Sequence, residues 1–474
     1  MSLDRDPHLK DIGGWIRGDK SDYDEWSQLV HDPRWSYDGL LPYFRRSEHF
    51  HKADADPTQH GFEGPMHTST PSSSGRKYPL RDAAFNMWSQ AGFKGISDAN
   101  AGSPQGIAEL VDNRRDGMRQ LTSDVYPLDG VTVMTGTIVK RVTMEQADGG
   151  LRAVGVELGD GIRIKLATNG EVIASAGTYR TPQLLMLSGI GDPEVLSKHN
   201  IQTLVDLPET GQNLHDHLMC FRYWSLKEPD RGLAMGSPAL ADPSFMKGGP
   251  VDWIVTGSVP ENDFKRAIEH DAKSAGNNAS WHDSKSASRS HLELLVFYGA
   301  FGGEQIGLEI PIDGKSIMSY CMGCLPTSRG QVTIRSDKPG DAPVIDPNYC
   351  ATEVDRSVLR EGWRIMSRAM LETEAGKEIV KGEILPTGHE QLGSDAADEA
   401  IDARVKMGAM TTYHPAGTAS MGKVVDGSLK VKGVKGLRVA DASIMPVPLA
   451  AHYQAAVFAI AEQAVDIILE ERKG

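Results

Sequence analysis

The sequence predicts an α/β unit followed by an α+β unit with an antiparallel sheet, and three stretches of the chain carry that prediction. Residues 171–189, EVIASAGTYRTPQLLMLSG, have the pattern of a strand, a tight turn and a short helix. Alternating apolar stretches from residue 291 onward, HLELLVFYG and QVTIRS, are typical of antiparallel strands. The strand–turn–helix order returns near the end, in GLRVADASIMP and QAAVFAIAEQAVDIILEER.

The first half of the chain is expected to hold the α/β unit. Residues 13–50 have the pattern of loops and short helices with aromatic anchors, and the β-branched residues 131–142 predict a strand. In the segment 171–189, EVIASAG predicts a buried strand. Thr181 predicts a helix N-cap, Pro182 the first helical position and Gly189 the helix end. Ligands gather at the carboxyl ends of strands in open α/β sheets, so this turn indicates a binding edge.

The second half is expected to cover and line a site. Residues 225–290 are rich in Gly, Pro, Ser and charge, which predicts exposed loops over the site. The run DRSVLREGWRIMSRAMLE has the apolar spacing of a helix. The final run, 454–472, is apolar almost all round but holds charged residues, so it predicts a buried helix and no membrane span.

Composition excludes several classes of protein. At 474 residues the chain is long enough for two or three domains. Its net charge of −14 argues against a nucleic-acid partner, because phosphate binding needs a basic surface. The four cysteines predict no disulfide framework. Without an apolar leader the expected location is cytoplasmic, or secreted if the true N-terminus is missing.

Several common catalytic and metal motifs do not fit. GTASMG (417–422) has Thr418 where a serine-nucleophile elbow needs glycine. The run His215-Asp216-His217 has no evident third ligand, and Cys321-x-x-Cys324 has no second pair, so no metal site is predicted. SGIGDPE (188–194) resembles a dinucleotide-binding turn but follows a helix, and therefore predicts a helix end.

Two histidines remain as candidates for acid–base chemistry. His414 lies in TTYHPAGTASMG and His452 lies 38 residues later in PLAAHYQAAVFAIAE. A predicted strand and turn separate them, a layout that can bring the two side chains together. His452 also precedes the long helix, whose N-terminus favours an anion. A base needs only hydrogen-bond reach to the proton it takes, so the pair is the strongest catalytic candidate.

Four longer segments carry the most specific pattern in the chain. They are GGWIRGDKSDYDEW with DPRWSYDGLLPYFRRSE, EVIASAGTYRTPQLLMLSGIGDPEVLSKHNIQTLVDLPETGQNLHDHL, SRGQVTIRSDKPGDAPVIDPNY, and the stretch from YHPAGTASMG to EQAVDII. In this order, from about Gly13 to the C-terminus, they resemble the glucose–methanol–choline (GMC) oxidoreductases, which are FAD-dependent alcohol oxidases and dehydrogenases. The resemblance implies a Rossmann-like α/β FAD-binding domain (1–218, with a C-terminal return at 410–474) and an α+β substrate-binding domain (219–409).

The resemblance also implies roles for the two histidines. His414 matches the family's catalytic histidine, which takes the hydroxyl proton of an alcohol while hydride leaves the carbinol carbon for flavin N5. His452 matches the second active-site position, which is His or Asn across the family. A His–His pair resembles the aryl-alcohol and glucose oxidase types.

Four further residues match positions that hold FAD in the family. Asp441 and Ala442 match the stretch that touches the ribityl and phosphate part of the cofactor. Val139 matches a valine whose backbone meets the adenine. The helix that starts near Gln454 would point its N-terminus at the flavin N1–C2=O edge, where negative charge develops on reduction.

Residues 1–12 do not match the strand, Gly-x-Gly-x-x-Gly turn and helix with which family members begin. The expectation is therefore an N-terminally incomplete FAD-binding domain with weak or no FAD binding. Losing several hydrogen bonds of about 1–3 kcal/mol each would turn a nanomolar affinity into a micromolar to millimolar one.

Two functions stay open at this stage. The first is FAD-dependent oxidation of a small-molecule alcohol. The second is flavin-independent acid–base catalysis on a small metabolite, by an isomerase, dehydratase or cyclase that keeps His414 and His452. A non-catalytic remnant is disfavoured because both histidines are retained. A homo-oligomer is compatible with either function.

Overall fold

The computed structural model describes residues 13–147, 149–275 and 288–473. The α-helices are α1 (Lys20–Val30), α2 (Tyr37–Ser47), α3 (Arg81–Gln90), α4 (Thr122–Val125), α5 (Gly177–Leu187), α6 (Pro193–Lys198), α7 (Glu261–Ala275), α8 (Glu353–Ser367), α9 (Glu374–Ile379), α10 (Asp398–Gly408) and α11 (Tyr453–Glu471). No helix in these ranges combines the length and apolar character needed to cross a membrane.

The strands are short and fall into several sheets. They are β1 (Glu48–Phe50), β2 (Met66–Thr68), β3 (Gly106–Glu109), β4 (Arg114–Arg115), β5 (Met118–Arg119), β6 (Val139–Ala147), β7 (Gly150–Leu158), β8 (Arg163–Lys165), β9 (Val172–Ala174), β10 (Ile190–Gly191), β11 (Val205–Asp206), β12 (Leu218–Leu226), β13 (Trp253–Gly257), β14 (Leu292–Phe297), β15 (Ser316–Gly323), β16 (Gln331–Thr333), β17 (Val344–Asp346), β18 (Val380–Ile384), β19 (Met410–Thr411), β20 (Val434–Lys435) and β21 (Leu437–Val439).

The largest sheet is antiparallel, as the alternating apolar pattern predicts. Its strand order is β18-β12-β15-β14-β13-β3, with β19 also paired to β12. Side chains alternate across it: Leu292, Leu294 and Val296 of β14 join one hydrophobic core, which includes α8, and Leu295 joins the other. The same alternation turns Glu293 toward the Leu295 side, where the histidines of the site lie.

The second core belongs to the α/β part of the chain. There β9 and β21 pair in parallel, Val172 with Leu437 and Ala174 with Val439, and each strand is followed by a turn and a helix. The last helix, α11, packs against α2, and the Trp26 indole donates to the Val447 carbonyl just before it, at 3.0 Å. The repeated strand–turn–helix order is therefore confirmed.

The start of α5 corrects a prediction. The helix begins at Gly177, so Thr181 is not its N-cap and Pro182 lies inside it. Proline has no N–H to donate to the Thr178 carbonyl one turn earlier, and the Thr418 hydroxyl donates to that carbonyl instead, at 2.6 Å. A proline inside a helix normally leaves one carbonyl without a hydrogen bond, which is why the sequence predicts a helix start at Pro182. Here the contact with Thr418 supplies that hydrogen bond, so the helix can start earlier.

The strand prediction for 131–142 is wrong over most of its length. Pairing starts only at Val139, because no described strand lies beside residues 131–138. Val131 and Val133 are 59% and 58% exposed in consequence. The predicted buried strand at 171–177 is also only partly buried, since Ile173 is 46% exposed.

Candidate active site

Four histidines from three segments meet where the α/β core contacts the antiparallel sheet. The rings of His414 and His452 have centroids 5.1 Å apart, edge to face. The Nδ1 atoms of His414 and His217 are 3.0 Å apart, and His215 lies two residues before His217. The two sequence-predicted histidines are therefore neighbours in space.

The loop that carries His414 is held by one buried carboxylate. Asp216 accepts hydrogen bonds from the His414 backbone N–H at 3.0 Å, from the Thr411 hydroxyl at 2.5 Å and from the Tyr349 hydroxyl at 2.5 Å. The turn needs such support because Tyr413 adopts a positive φ of 62°. Asp216 therefore acts on the site by positioning His414.

His452 is placed by the start of α11 and by the sheet. It is the N-cap residue of that helix, and its Nε2 lies 2.8 Å from Oε1 of Glu293 on β14. Both side chains are buried, with relative exposures of 8% for His452 and 1% for Glu293. A buried carboxylate that is paired with a histidine stabilises the imidazolium form.

The environments of the two central histidines shift their pKa values in opposite directions. Burial and the neighbouring His452 and His217 lower the pKa of His414 well below its usual value. Burial alone would lower the pKa of His452, but the Glu293 carboxylate outweighs burial and raises it. The pair therefore combines a neutral imidazole with a neighbour that favours its charged form, the separation found between catalytic acids and bases.

A chain of hydrogen bonds assigns the tautomer of His414. The Met445 carbonyl can only accept, so His215 donates its Nε2–H to it at 3.4 Å and accepts from the Tyr453 hydroxyl at Nδ1, also at 3.4 Å. The Tyr453 oxygen then accepts from Nε2–H of His217 at 3.2 Å. His217 Nδ1 in turn accepts from His414, which leaves His414 Nε2 unprotonated.

All three histidines of that chain are held neutral. Burial is the main cause, and it lowers the pKa of His217 to about 3 and those of His215 and His414 well below their usual values. A neutral imidazole donates through one ring nitrogen and accepts through the other. In the assigned pattern His215 and His217 each use both roles, while His414 donates through Nδ1 and keeps Nε2 as an acceptor.

The structure places the other sequence-predicted residues in supporting positions. Asp441 accepts from the Gly177 N–H at 2.9 Å, the Thr181 hydroxyl at 2.6 Å and the Ser443 N–H at 2.8 Å, so its carboxylate joins the start of α5 to the 3₁₀ turn 442–444. The carbonyl of Ala442 accepts from the Gly417 N–H, three residues after His414.

Gln454 and Val139 occupy different parts of the fold. Gln454 is the second residue of α11, next to the site and half-buried. Val139 opens β6, pairs with Leu158 of β7 and is 38% exposed. Of the six predicted residues, the structure groups the two histidines directly, places Asp441, Ala442 and Gln454 on the adjoining turns, and sets Val139 on a separate hairpin.

Sequence reasoning missed Glu293, His217 and Tyr453. Glu293 carried a signal, since it is the one charged residue in the apolar strand HLELLVFYG. His217 was noticed only as half of a metal-like pair, whereas its ring contacts His414. Tyr453 has no local signal, because its hydroxyl acquires its role only when α11 meets the 215–217 segment.

The flavin-ring end of an FAD molecule fits the residues present. No side chain caps the first turn of α11, so its N–H groups are free to face a developing negative charge. Gly14 lies beside His452, and a Cβ at Gly14 would come within 2.8 Å of His452 Nδ1, so glycine lets the backbone approach the ring this closely.

The described residues show no comparable cradle for the pyrophosphate end. In the described ranges there is no Gly-x-Gly-x-x-Gly turn between a strand and a helix. The start of α5, which follows the parallel strand β9, is occupied by the Asp441 carboxylate, which repels a phosphate.

Comparison with known proteins places this geometry in a family. Residues 12–219 match the N-terminal and residues 326–461 the C-terminal domain model of GMC oxidoreductases. The chain belongs to the GMC oxidoreductase family. Membership implies an oxidoreductase with FAD as cofactor.

Named relatives cover nearly the whole chain. The GMC-type oxidoreductase acuG of Aspergillus aculeatus is 38% identical over 97% of this chain and 82% of its own length. The mitochondrial choline dehydrogenase of Mus musculus is 32% identical over 96% of this chain and 73% of its own. Among solved structures, a variant of Aspergillus oryzae formate oxidase superposes with a TM-score of 0.81 and 28% identity, over 97% of this chain and 82% of that one.

Proposed function

We propose that this protein oxidises the CH–OH group of a small-molecule alcohol, with His414 as the base and His452 as the charged hydrogen-bond donor. The opposite pKa shifts of these two adjacent histidines support the proposal most directly. Family membership supports the reaction class, because relatives include a choline dehydrogenase and a formate oxidase.

His414 supplies the proton acceptor in this scheme. Its Nε2 has no proton in the assigned tautomer, and its Nδ1–H is directed to His217, so the ring is oriented before substrate arrives. The hydroxyl proton of the alcohol moves to Nε2 as the carbonyl forms. FAD, when bound, supplies the acceptor for the hydride that leaves the carbinol carbon.

His452 stabilises the oxygen that loses the proton. With Nε2–H donated to Glu293, its protonated ring has Nδ1–H on the side where Gly14 lies. A charged donor on that side favours the alkoxide that forms as His414 takes the proton. The same positive charge keeps His414 neutral until the reaction, because two adjacent imidazolium ions repel each other.

The proposal is tested with the purified protein after incubation with FAD and gel filtration. We expect flavin absorbance on the protein, and bleaching by members of a panel of aliphatic and aryl alcohols under anaerobic conditions. His414→Gln should slow bleaching by a factor of about 10²–10⁴ without changing the flavin content. Bleaching at the original rate would remove His414 from the base role.

His389→Gln is the matched control, since His389 is exposed and lies outside the site. It should leave the rate unchanged.

A second candidate function rests on the same two histidines, whose opposite pKa shifts also suit acid–base chemistry. A flavin-independent isomerase, dehydratase or cyclase could use the same neutral base and charged acid without a hydride acceptor. A protein that stays colourless after incubation with FAD, yet loses activity on a metabolite panel with His414→Gln, would favour this reading over oxidation.

A further inference from the structure

Three histidines far from the active-site cluster lie together on the outer side of a small strand pair. His49 is on β1, His67 is opposite it in register on the parallel strand β2, and His51 follows β1 by one residue. His49 and His67 are half-buried and His51 is exposed. We propose that His49, His51 and His67 form a binding site for one divalent cation of the Zn²⁺ class.

The geometry brings one ring nitrogen of each histidine into a common space. These nitrogens all lie within 4.8 Å of one another. The ring centroids are 4.5 Å apart for His49–His67, 4.6 Å for His49–His51 and 4.9 Å for His51–His67. Three imidazoles are a ligand set that zinc accepts in proteins, with a fourth position left for water. The His67 ring stacks on the rings of His49 and His51 at 14° and 19°, so the rings must turn on binding to aim their in-plane nitrogen lone pairs at one ion.

One distance must change when an ion enters. His51 Nε2 and His67 Nδ1 are 2.6 Å apart, joined by a hydrogen bond. Zn–N bonds of about 2.0–2.1 Å in a tetrahedral arrangement set the two nitrogens about 3.3 Å apart. His51 is the exposed member, so a small side-chain rotation that moves its ring by less than about an ångström opens the space.

The backbone beneath the cluster is fixed by a buried ion pair. Glu48, the residue before His49, is fully buried and accepts from Arg17 at 2.5 Å, from His60 at 2.9 Å and from the Thr68 hydroxyl at 3.2 Å. Thr68 follows His67, and its carbonyl also accepts from the His51 N–H at 2.8 Å. The strands that carry the three ligands are thus locked together, which lowers the ordering cost of binding an ion.

Two charged residues act on the rings of His51 and His67. Burial, the neighbouring histidines and Arg115 lower the pKa values of these two rings, while Asp116 acts in the opposite direction. Arg115 opposes an incoming cation and Asp116 favours it, and these are the two charged neighbours that act on His51 and His67.

This site and the rejected motif share the same sequence signal, a His-x-His run, but differ in what their rings contact. His215-Asp216-His217 has its rings committed to the hydrogen-bond chain of the active site. His49-Phe50-His51 also spaces two histidines by two residues, which puts both on one face of an extended strand. The third ligand comes from residue 67, and only the β1–β2 pairing reveals it.

The proposal is tested by titrating Zn²⁺ into the full chain, made without a polyhistidine tag and stripped with a chelator. We expect calorimetry to give one strong Zn²⁺ site per chain, and Co²⁺ to give the intense visible bands of a tetrahedral site. His51→Gln and His67→Gln should each weaken Zn²⁺ binding at least tenfold, and their combination should abolish it. His389→Gln, the exposed control, should bind as the parent does.

Three results would overturn the site. The first is Zn²⁺ affinity that survives in the His51→Gln/His67→Gln double variant, and the second is the absence of Zn²⁺ binding to the parent. The third is loss of Zn²⁺ binding in His217→Gln, which would place the ion among the active-site histidines. His51 is exposed, so His51→Gln remains informative even where a change at His67 disturbs β2. Neither readout depends on FAD or on substrate oxidation.

Discussion

The pairing of His452 with Glu293 yields the sharpest prediction about the chemistry of the site. Replacing the carboxylate by the amide in Glu293→Gln keeps the side-chain shape and removes the charge. The bond joins two buried groups at 2.8 Å, where solvent screens little. A hydrogen bond to a charged group contributes about 1.5–3 kcal/mol, and one pKa unit corresponds to about 1.4 kcal/mol. The pKa of His452 should therefore fall by about 1–2 units.

The direction of this pKa change follows from the two opposing influences on His452. Burial lowers the pKa of His452 and the Glu293 carboxylate raises it, so removing the carboxylate leaves burial as the larger effect. NMR titration of ¹⁵N-histidine-labelled protein measures the shift, with the His452 signal assigned from a His452→Gln sample. The proposed mechanism needs protonated His452, so the upper pH limit of activity should move to lower pH by a similar amount.

A control glutamate on the same sheet separates the local effect from a general one. Glu109 of β3 pairs with Arg81 at 2.8 Å, and Glu109→Gln also removes one negative charge from the sheet. It should leave the pKa of His452 nearly unchanged. An unchanged His452 pKa in Glu293→Gln would show that the carboxylate does not set the charge of this histidine.

Three further perturbations address the relay, the fold and the pH dependence. Tyr453→Phe removes the hydroxyl that joins His215 to His217. We expect kcat to fall at least tenfold with KM little changed. The ¹⁵N chemical shifts of His414 should then report a mixture of its two tautomers. Thr418→Val leaves the Thr178 carbonyl without its donor, so urea denaturation should show a loss of about 1–3 kcal/mol in the free energy of unfolding. The neutral histidines of the relay have lowered pKa values, that of His217 to about 3, so the unfolded chain binds more protons below about pH 6.5. Stability should then fall, as the pH drops from about 6.5 toward 3, by about 1.4 kcal/mol per pH unit for each histidine kept neutral.

Each of these has its own contradicting outcome. Tyr126→Phe removes a hydroxyl that donates to Glu462 at 2.8 Å, and Glu462 lies on α11, the helix that also carries Tyr453. An equal loss of kcat in Tyr126→Phe would show that the Tyr453 effect is not specific. Thr387→Val changes an exposed threonine and should leave the free energy of unfolding unchanged. A similar loss in Thr387→Val would show that the Thr418 effect does not come from the Thr178 carbonyl of α5. A slope of stability against pH that His217→Gln does not reduce would contradict burial of a neutral His217.

Local patterns predicted the elements well where a segment's structure depends on its own residues. The antiparallel strands, the long helix α11 and the strand–turn–helix order at both ends follow from periodicity and turn residues. The predictions failed where a neighbour decides the outcome. The start of α5 depends on Thr418 supplying the donor that Pro182 lacks, and residues 131–138 form no strand because no described strand pairs with them.

The family and the two candidate histidines could be predicted from the amino-acid sequence, because they depend on residue types at fixed spacings along the chain. The opposite pKa shifts of the two histidines depend on the packing of segments that are far apart in the chain. That difference depends on Glu293, which is 159 residues from His452 in the chain but 2.8 Å away in space. The His49–His51–His67 cluster has the same origin, since β1–β2 pairing supplies its third member. Burial and charge act through distance in space, and the packing of separate segments sets that distance.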